Sequence, residues 1–200
     1  MNHEMIEAVQ SAPSRALSDY VMAIDRPGLV LEFGVHVGGT IRYIAGLTER
    51  PVIGFDSFEG LPEDWQGAGG VKKGHFACEP PIAYVQENVL LVKGWFEDTL
   101  PAFAQLFSLH KIALVHIDCD VGSGAVTIFK HCRDMFQDGT IVVFDELMGY
   151  PGWEDQEFKA FNDFLDETDW GWECIGLHAG SRTETDGPDE IKCAFRLRSK

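Results

Sequence analysis

The sequence predicts a doubly wound α/β domain whose mostly parallel, seven-stranded sheet ends in an antiparallel C-terminal hairpin. Five short apolar runs, nearly continuous rather than alternating, precede residue 145, and such runs are typical of parallel strands buried on both faces. Helical segments lie between several of these runs, as the strand–helix alternation of a doubly wound sheet requires. Two further apolar runs near the C-terminus are joined by a short polar turn, which predicts an antiparallel pair.

The elements follow in chain order. Residues 5–25 carry apolar side chains at helical spacing, and Pro13 divides this N-terminal helical segment (1–28) into two pieces. The predicted strands are Leu29–Phe33, Val52–Phe55, Val89–Val92, Ala113–Ile117, Ile141–Phe144, Trp172–His178 and Ile191–Leu197. The predicted helices are Thr40–Leu47, Leu100–Leu109, Ala125–Phe136 and 154–167, and the polar turn is Gly180–Asp189.

Length and charge limit the classes of function. Two hundred residues fit a single domain spanning 1–200. Asp and Glu number 32 against 16 Lys and Arg, so the net charge of −16 argues against nucleic-acid or membrane-surface binding, which needs a cationic face. No apolar run approaches the ~20 residues of a membrane span, and the first ten residues do not resemble a secretory signal. Five cysteines without CxxC spacing indicate free thiols, and we expect a cytoplasmic protein.

Glycines follow the first predicted strand in the pattern Glu32-x-Gly34-x-x-x-Gly38-x-Thr40. Glycines at this place allow a tight turn and bring backbone amides against a ligand at the next helix N-terminus. Asp56, which is 22 residues after Gly34 at the end of the second strand, is suited to accept both hydroxyls of a ribose. The pattern therefore predicts a nucleoside-type cofactor, and His36 is a candidate contact for a cofactor carboxylate. The alternative is a tight turn beside an unrelated surface Asp.

Acidic residues follow two later strands, Asp118 and Asp120 after one and Asp145 and Glu146 after the other. Because neighbouring parallel strands end at the same edge of a sheet, we expect these carboxylates to converge. Oxygen ligands suit Mg²⁺ or Ca²⁺ better than zinc. The alternative is that these acids cap helices or remain solvated.

Three segments resemble a known family, and they are Gly54–Pro62, Lys93–Pro101 and His116–Asp120. They are similar to the signature segments of the macrocin O-methyltransferase family, and the similarity extends over roughly residues 28–165 through Asp145-Glu146. The resemblance implies a Rossmann-like class I methyltransferase that uses S-adenosylmethionine and a divalent metal, usually Mg²⁺. Its expected substrate is a hydroxyl of a sugar or similar small natural product.

The resemblance also implies a role for individual residues. Those implied at the cofactor are Glu32, Gly34, Gly38 and Thr40 near the methionine part, Asp56 at the ribose, Ser57 and Phe58 beside the adenosine, Gly94, Trp95 and Phe96 around the adenine, and Asp118. The implied metal ligands are Asp118, Asp145 and Glu146.

Methyl transfer to a hydroxyl also needs a group that takes the proton. A metal bound to the acceptor oxygen would lower the pKa of the hydroxyl and fix its position, so Asp118 counts as catalytic. Asp120 is the nearest candidate base by sequence, and His75 is a second one. His75 lies in residues 60–81, a long segment without apolar periodicity that we predict to be a lid.

Two other functions remain open at this point. An NAD-dependent oxidoreductase has the same general architecture, but the Gly-x-Gly-x-x-Gly pattern is missing. A non-catalytic protein that binds S-adenosylmethionine is the second alternative, because a fold alone does not determine function. Whether the chain forms a homodimer is also open.

Overall fold

The computed structural model describes residues 2–67, 70–82, 85–178 and 191–200. Its strands are β1 (Ser14–Arg15), β2 (Leu29–Phe33), β3 (Val52–Asp56), β4 (Val89–Lys93), β5 (Ile112–Ile117), β6 (Ile141–Met148), β7 (Trp170–His178) and β8 (Ile191–Ser199). Its helices are α1 (His3–Ser11), α2 (Leu17–Met22), α3 (Gly39–Gly46), α4 (Phe96–Leu106), α5 (Gly122–Cys132) and α6 (Glu157–Asp166).

The strands form one sheet in the order β1-β7-β8-β6-β5-β2-β3-β4. The central pairs of β2 with β3 and β5, of β3 with β4, and of β5 with β6 are parallel. β8 is antiparallel to both β6 and β7, so the predicted C-terminal hairpin is confirmed. The turn predicted at Gly180–Asp189 lies outside the described residues.

The sheet has an eighth strand that the sequence did not predict. Pro13 separates α1 from α2, as expected, and the two residues that follow it extend as β1 parallel to the end of β7. Proline cannot continue the helix, so the freed backbone of Ser14 and Arg15 pairs with the sheet edge instead. The seven predicted strands are all present.

Side chains of the central strands alternate between two apolar layers. From β2, Leu31 and Phe33 enter the core shared with α1, α4, α5 and α6, whereas Val30 packs with α2 and α3 on the other face. β4 is only half buried because it forms the edge of the sheet. None of the helices in the described ranges has the length and apolar character that crossing a bilayer requires.

Two boundaries differ from expectation in a way that shapes the cleft described below. α4 begins at Phe96 rather than Leu100, because Glu97 and Asp98 in its first turn complement the helix dipole. β6 continues to Met148 instead of ending at Phe144, and its pairing with β8 is irregular between those two residues. Such an irregularity turns side chains away from strict alternation.

The two leucines of α4 provide a matched test of the core. Leu100 is completely buried, and Leu106 on the same helix is 77% exposed. We expect Leu100→Ala to lower the free energy of unfolding by about 2–5 kcal/mol, because it leaves a cavity. Leu106→Ala should change it by less than about 0.5 kcal/mol. Denaturant unfolding of both variants checks this, and equal losses would contradict the packing described here.

Candidate active site

A cleft with a volume of about 560 Å³ lies where β2, β3, β5 and β6 end. Twelve of the site residues predicted from the sequence line this cleft: Gly34, His36, Thr40, Asp56, Ser57, Gly94, Trp95, Phe96, Asp118, Asp120, Asp145 and Glu146. Other side chains that line it include Leu61, Trp65, Phe76, Cys119 and Lys192. The sequence motifs therefore converge on one cavity at the carboxyl edge of the sheet, where α/β proteins bind ligands.

The turn after β2 depends on Gly34. This residue has φ of +93°, and a Cβ there would lie 1.7 Å from the backbone carbonyl oxygen of Asp118. The backbone N–H of Asp118 in turn donates to the Phe33 carbonyl at 2.9 Å. Gly34 therefore allows the glycine loop and the end of β5 to touch, so that both face the cleft.

The carboxylate of Asp56 stabilises this loop. Its Oδ2 accepts hydrogen bonds from the backbone N–H groups of Val35 and His36, both at 2.8 Å, and its Oδ1 accepts from Phe58 N–H at 2.7 Å. A carboxylate has about four acceptor sites, so these three bonds leave little capacity for two ribose hydroxyls. Asp56 borders the cleft as predicted, and its loop bonds were not foreseen.

Four predicted site residues do not line the cleft. Glu32 is completely buried within the sheet, where it contacts His116. Gly38 is covered by Pro81, because a Cβ there would lie 2.8 Å from the proline ring. The assignments of Glu32 and Gly38 to direct contact with a cofactor in the cleft are therefore corrected.

Phe58 and His75 also lie elsewhere. Phe58 has φ of +58°, is 5% exposed and belongs to the apolar cluster that also contains residues of α2 and α3. His75 is exposed outside the cleft, and its ring lies against Phe76 with centroids 4.3 Å apart. Phe58 is therefore a core residue, and His75 is not placed to serve as a base.

The described part of residues 60–81 forms one wall of the cleft. Leu61 and Trp65 are nearly buried and pack with Val121 and Tyr150 in a small apolar cluster. The Trp65 and Tyr150 rings meet edge to face, with centroids 5.5 Å apart. Movement of this wall as a lid stays a prediction.

Four acids, here called the cleft carboxylates, line the opposite side: Asp118, Asp120, Asp145 and Glu146. One oxygen each from Asp118, Asp120 and Glu146 lies within 4.8 Å of the others. Glu146 is 3% exposed, and its Oε1 has no hydrogen-bond partner within the described part of the chain. The N-cap position of α5 is Val121, one residue after Asp120, and the first N–H of that helix, on Gly122, donates to Oε1 of Gln156 at 2.6 Å.

Asp145 differs from the other cleft carboxylates because two cationic groups hold it. Its Oδ2 accepts a hydrogen bond from Lys192 Nζ at 2.7 Å, and its Oδ1 lies 3.8 Å from His116 Nε2. His116 Nδ1 is 3.2 Å from Glu32 Oε1 on the far side. Lys192, Asp145, His116 and Glu32 belong to β8, β6, β5 and β2, which are consecutive in the sheet. We call these four residues the charge row.

The pKa values reflect this arrangement. Burial and the nearby Asp145 raise the pKa of Asp118 well above its usual range, and burial with Asp120 raises that of Glu146. Burial opposes protonation of His116, but Asp145 and Glu32 outweigh it and raise its pKa to about 10. Burial likewise opposes ionisation of Asp145, yet His116 and Lys192 lower its pKa. Burial raises the pKa of Glu32, although its hydrogen bond to His116 opposes that shift.

Sequence reasoning missed one cationic side chain that lines the cleft, Lys192, and one buried acid that contacts Cys119, Glu157. Lys192 carries no motif and comes from the antiparallel strand β8. Glu157 begins α6 and is completely buried, with Cys119 Sγ 3.3 Å from its Oε1. An acid in the first turn of a helix is ordinary, so nothing in the sequence distinguished Glu157.

Residues 31–147, more than half of the chain, match the family described as a methyltransferase domain. The chain belongs to this family. It is an S-adenosylmethionine-dependent methyltransferase, and its architecture is the Rossmann-like one of that class. The oxidoreductase alternative is therefore wrong, as is that of a protein without catalytic function.

Relatives of this methyltransferase come from Streptomyces. Demethyldecarbamoylnovobiocin O-methyltransferase of Streptomyces niveus is 25% identical over 189 residues, which are 82% of this chain and 71% of that protein. The 8-demethyl-8-(2,3-dimethoxy-alpha-L-rhamnosyl)-tetracenomycin-C 4'-O-methyltransferase of Streptomyces olivaceus is 26% identical over 148 residues, or 63% of this chain and 55% of that one. Among solved structures, the calicheamicin methyltransferase CalS11 is similar, with a TM-score of 0.63 and 24% sequence identity. The aligned part covers 98% of this chain and 80% of the CalS11 chain, and this similarity confirms the fold.

Two glycines of the methyltransferase's loop give a matched test of the cleft. Gly34→Ala places a Cβ against the Asp118 carbonyl and carries about 1–3 kcal/mol of backbone strain besides. We expect it to weaken binding of S-adenosylhomocysteine, the demethylated cofactor, at least tenfold by calorimetry. A Cβ at Gly39 would meet nothing within 4 Å, so Gly39→Ala should bind like the wild type. Unchanged binding by Gly34→Ala would show that the loop does not form the cofactor site.

Proposed function

We propose that this methyltransferase transfers the methyl group of S-adenosylmethionine to a hydroxyl of a sugar or similar small natural product, assisted by Mg²⁺. The observation that supports this most directly is a single cleft bordered by the glycine loop on one side and by the cleft carboxylates on the other. The glycine loop would hold an electrophilic methyl donor, and the carboxylates would handle the proton of an acceptor. The Streptomyces relatives are named as O-methyltransferases of natural products, one of them a rhamnosyl compound.

The cofactor would lie between the glycine loop and the start of α4. Thr40 and His36 border the end nearest the loop, and Ser57, Trp95 and Phe96 border the other end. Trp95 and Phe96 are half buried, and the Phe96 ring packs edge to face on Phe33 at 5.4 Å. Their flat apolar surfaces suit a purine ring, which stacks on aromatic side chains.

A divalent ion fits the acidic side of the cleft. The ligands that the family resemblance implies are Asp118, Asp145 and Glu146. The structure brings ligand atoms within 4.8 Å of one another in two overlapping groups, Asp118 with Asp120 and Glu146, and Asp118 with Asp145 and His116. Among the described residues, Oε1 of Glu146 is buried without a hydrogen-bond partner. Burying several like charges is costly unless a counter-ion compensates them. When bound, Mg²⁺ would lower the pKa of an acceptor hydroxyl and fix its position.

The chain's own residues would direct the transfer. We assign Asp120 as the base that takes the acceptor proton, because it lines the cleft and one of its carboxylate oxygens lies within 4.8 Å of oxygens of Asp118 and Glu146. The acceptor oxygen forms a bond to the methyl carbon while the carbon–sulfur bond breaks. Bound S-adenosylmethionine would supply the electrophilic methyl group and leave as a neutral thioether, and Asp120 would hold the acceptor's proton on its carboxylate until solvent removes it. Leu61 and Trp65 would exclude water, which supports a lid role for residues 60–81.

Location and domain organisation complete the proposal. All five cysteines are free, which suits a reducing cytoplasm. One continuous sheet connects the described ranges, which agrees with a single domain over residues 1–200. We leave a monomer and a homodimer as equal proposals for the assembly.

The metal is tested by its effect on stability. Because an ion that binds only the folded state stabilises it, millimolar Mg²⁺ should raise the melting temperature of the wild type with S-adenosylhomocysteine present. Glu146→Gln should lose this rise. Glu97→Gln is the matched control, since Glu97 also lines the cleft but lies on α4 away from the other acids. A wild-type melting temperature that Mg²⁺ leaves unmoved would contradict the metal part of the proposal.

The proposed reaction is tested by a substitution that removes the base. Asp120→Asn should lower kcat roughly 10²–10⁴-fold, the usual contribution of a general base. Asparagine tolerates a positive φ such as the +64° of Asp120, so affinity for S-adenosylhomocysteine should stay near the wild-type value. Turnover is measured as S-adenosylhomocysteine release with a panel of sugar and phenolic acceptors, including demethyldecarbamoylnovobiocin. A variant that keeps full turnover would remove Asp120 as the base.

A further inference from the structure

We infer that Lys192 is an internal counter-ion of Asp145 with which a divalent cation must compete, so that this lysine lowers the affinity of the cleft for Mg²⁺. The inference rests on the metal part of the proposed function. It concerns a residue that carries no motif and lies on β8, outside the matched residues 31–147.

The contact between the two side chains is direct. Lys192 Nζ lies 2.7 Å from Asp145 Oδ2, and both residues line the cleft. The two side chains are 19% and 24% exposed, so water screens their attraction only in part. An ammonium at this distance occupies one of the roughly four acceptor sites of the Asp145 carboxylate and offsets part of the negative charge that would attract a metal ion.

Of the two cationic side chains that contact Asp145, Lys192 has the more flexible one. His116 is held on the other side by Glu32, and its side chain is only 3% exposed. Lysine has a flexible four-carbon chain and its ammonium is readily hydrated, whereas a buried imidazole is fixed by its neighbours. Binding of a divalent ion would therefore weaken the contact to Lys192 more than the contact to His116.

The charge of the site also indicates that Lys192 opposes the binding of a metal ion. A bound Mg²⁺ would bring two positive charges close to the ammonium of Lys192, and like charges repel strongly where screening is weak. The free energy of weakening the ion pair and of this repulsion subtracts from metal binding. Removing the ammonium should therefore tighten Mg²⁺ binding, whereas an ordinary structural ion pair would have no such effect.

The test is calorimetric titration of Mg²⁺ into the full chain saturated with S-adenosylhomocysteine. We expect Lys192→Met to bind Mg²⁺ at least tenfold more tightly than the wild type, and Lys192→Arg to bind within threefold of it. Lys192→Gln is a second neutral variant in case the methionine disturbs β8. Lys159→Met is the matched control: Lys159 is half exposed and forms an ion pair with Asp163 on α6. It removes one charge and one ion pair at a distance, and Mg²⁺ affinity should not change.

A double-mutant cycle separates direct competition at Asp145 from a general effect of charge. If Lys192 acts through Asp145, Lys192→Met should no longer tighten binding in an Asp145→Asn background. Persistence of the full gain there would overturn the inference, as would unchanged affinity in both neutral variants. The proposed metal site would survive either result, since the wild type would still bind Mg²⁺. Absence of binding in the wild type and in every variant would overturn both proposals.

Discussion

The structure of this methyltransferase depends on how it places four carboxylates in one cleft without excessive repulsion. Like charges that are brought together and desolvated raise one another's pKa, and Asp118 and Glu146 do show raised pKa values. The charge row reduces part of this repulsion, because it places basic side chains next to acidic ones. Its four residues come from four consecutive strands. Burial opposes charge on both His116 and Asp145, yet the acids beside His116 raise its pKa and the cationic groups beside Asp145 lower the pKa of its carboxyl. The strands of the sheet therefore hold these acidic and basic groups in fixed positions beneath the cleft.

On the cofactor side of the cleft, a few backbone contacts likewise fix the position of the glycine loop. Asp56 places its carboxylate on three N–H groups of the glycine loop and of the turn after β3, which fixes both walls at once. Gly34 lets this loop touch the end of β5 at the Asp118 carbonyl. The position of the acidic side is therefore coupled to that of the cofactor side through a backbone contact that no residue with a side chain permits.

Much of this could be predicted from the sequence because it follows from local patterns. The bounds of β2 agree residue for residue, and the convergence of Asp118 with Glu146 follows from the rule that parallel strands end at one edge. What could not be predicted depends on geometry that no local pattern carries. Lys192 reaches Asp145 only through the pairing of β8 with β6, and Phe58 packs in an apolar cluster with residues of α2 and α3. Both outcomes are set by tertiary contacts.

The charge of the cleft also suits the proposed reaction. S-adenosylmethionine carries a positive sulfur, and methyl transfer converts it into a neutral thioether while the acceptor releases one proton. If a cleft carboxylate takes that proton, one positive charge leaves the sulfur and another appears within the same cavity, so its net charge stays constant. Desolvated groups make a change of net charge costly, because little water can reorganise around them. An anionic cleft that binds a cationic donor and then absorbs a proton avoids that cost. This explains why acids that would repel one another in isolation are arranged beside a methyl donor.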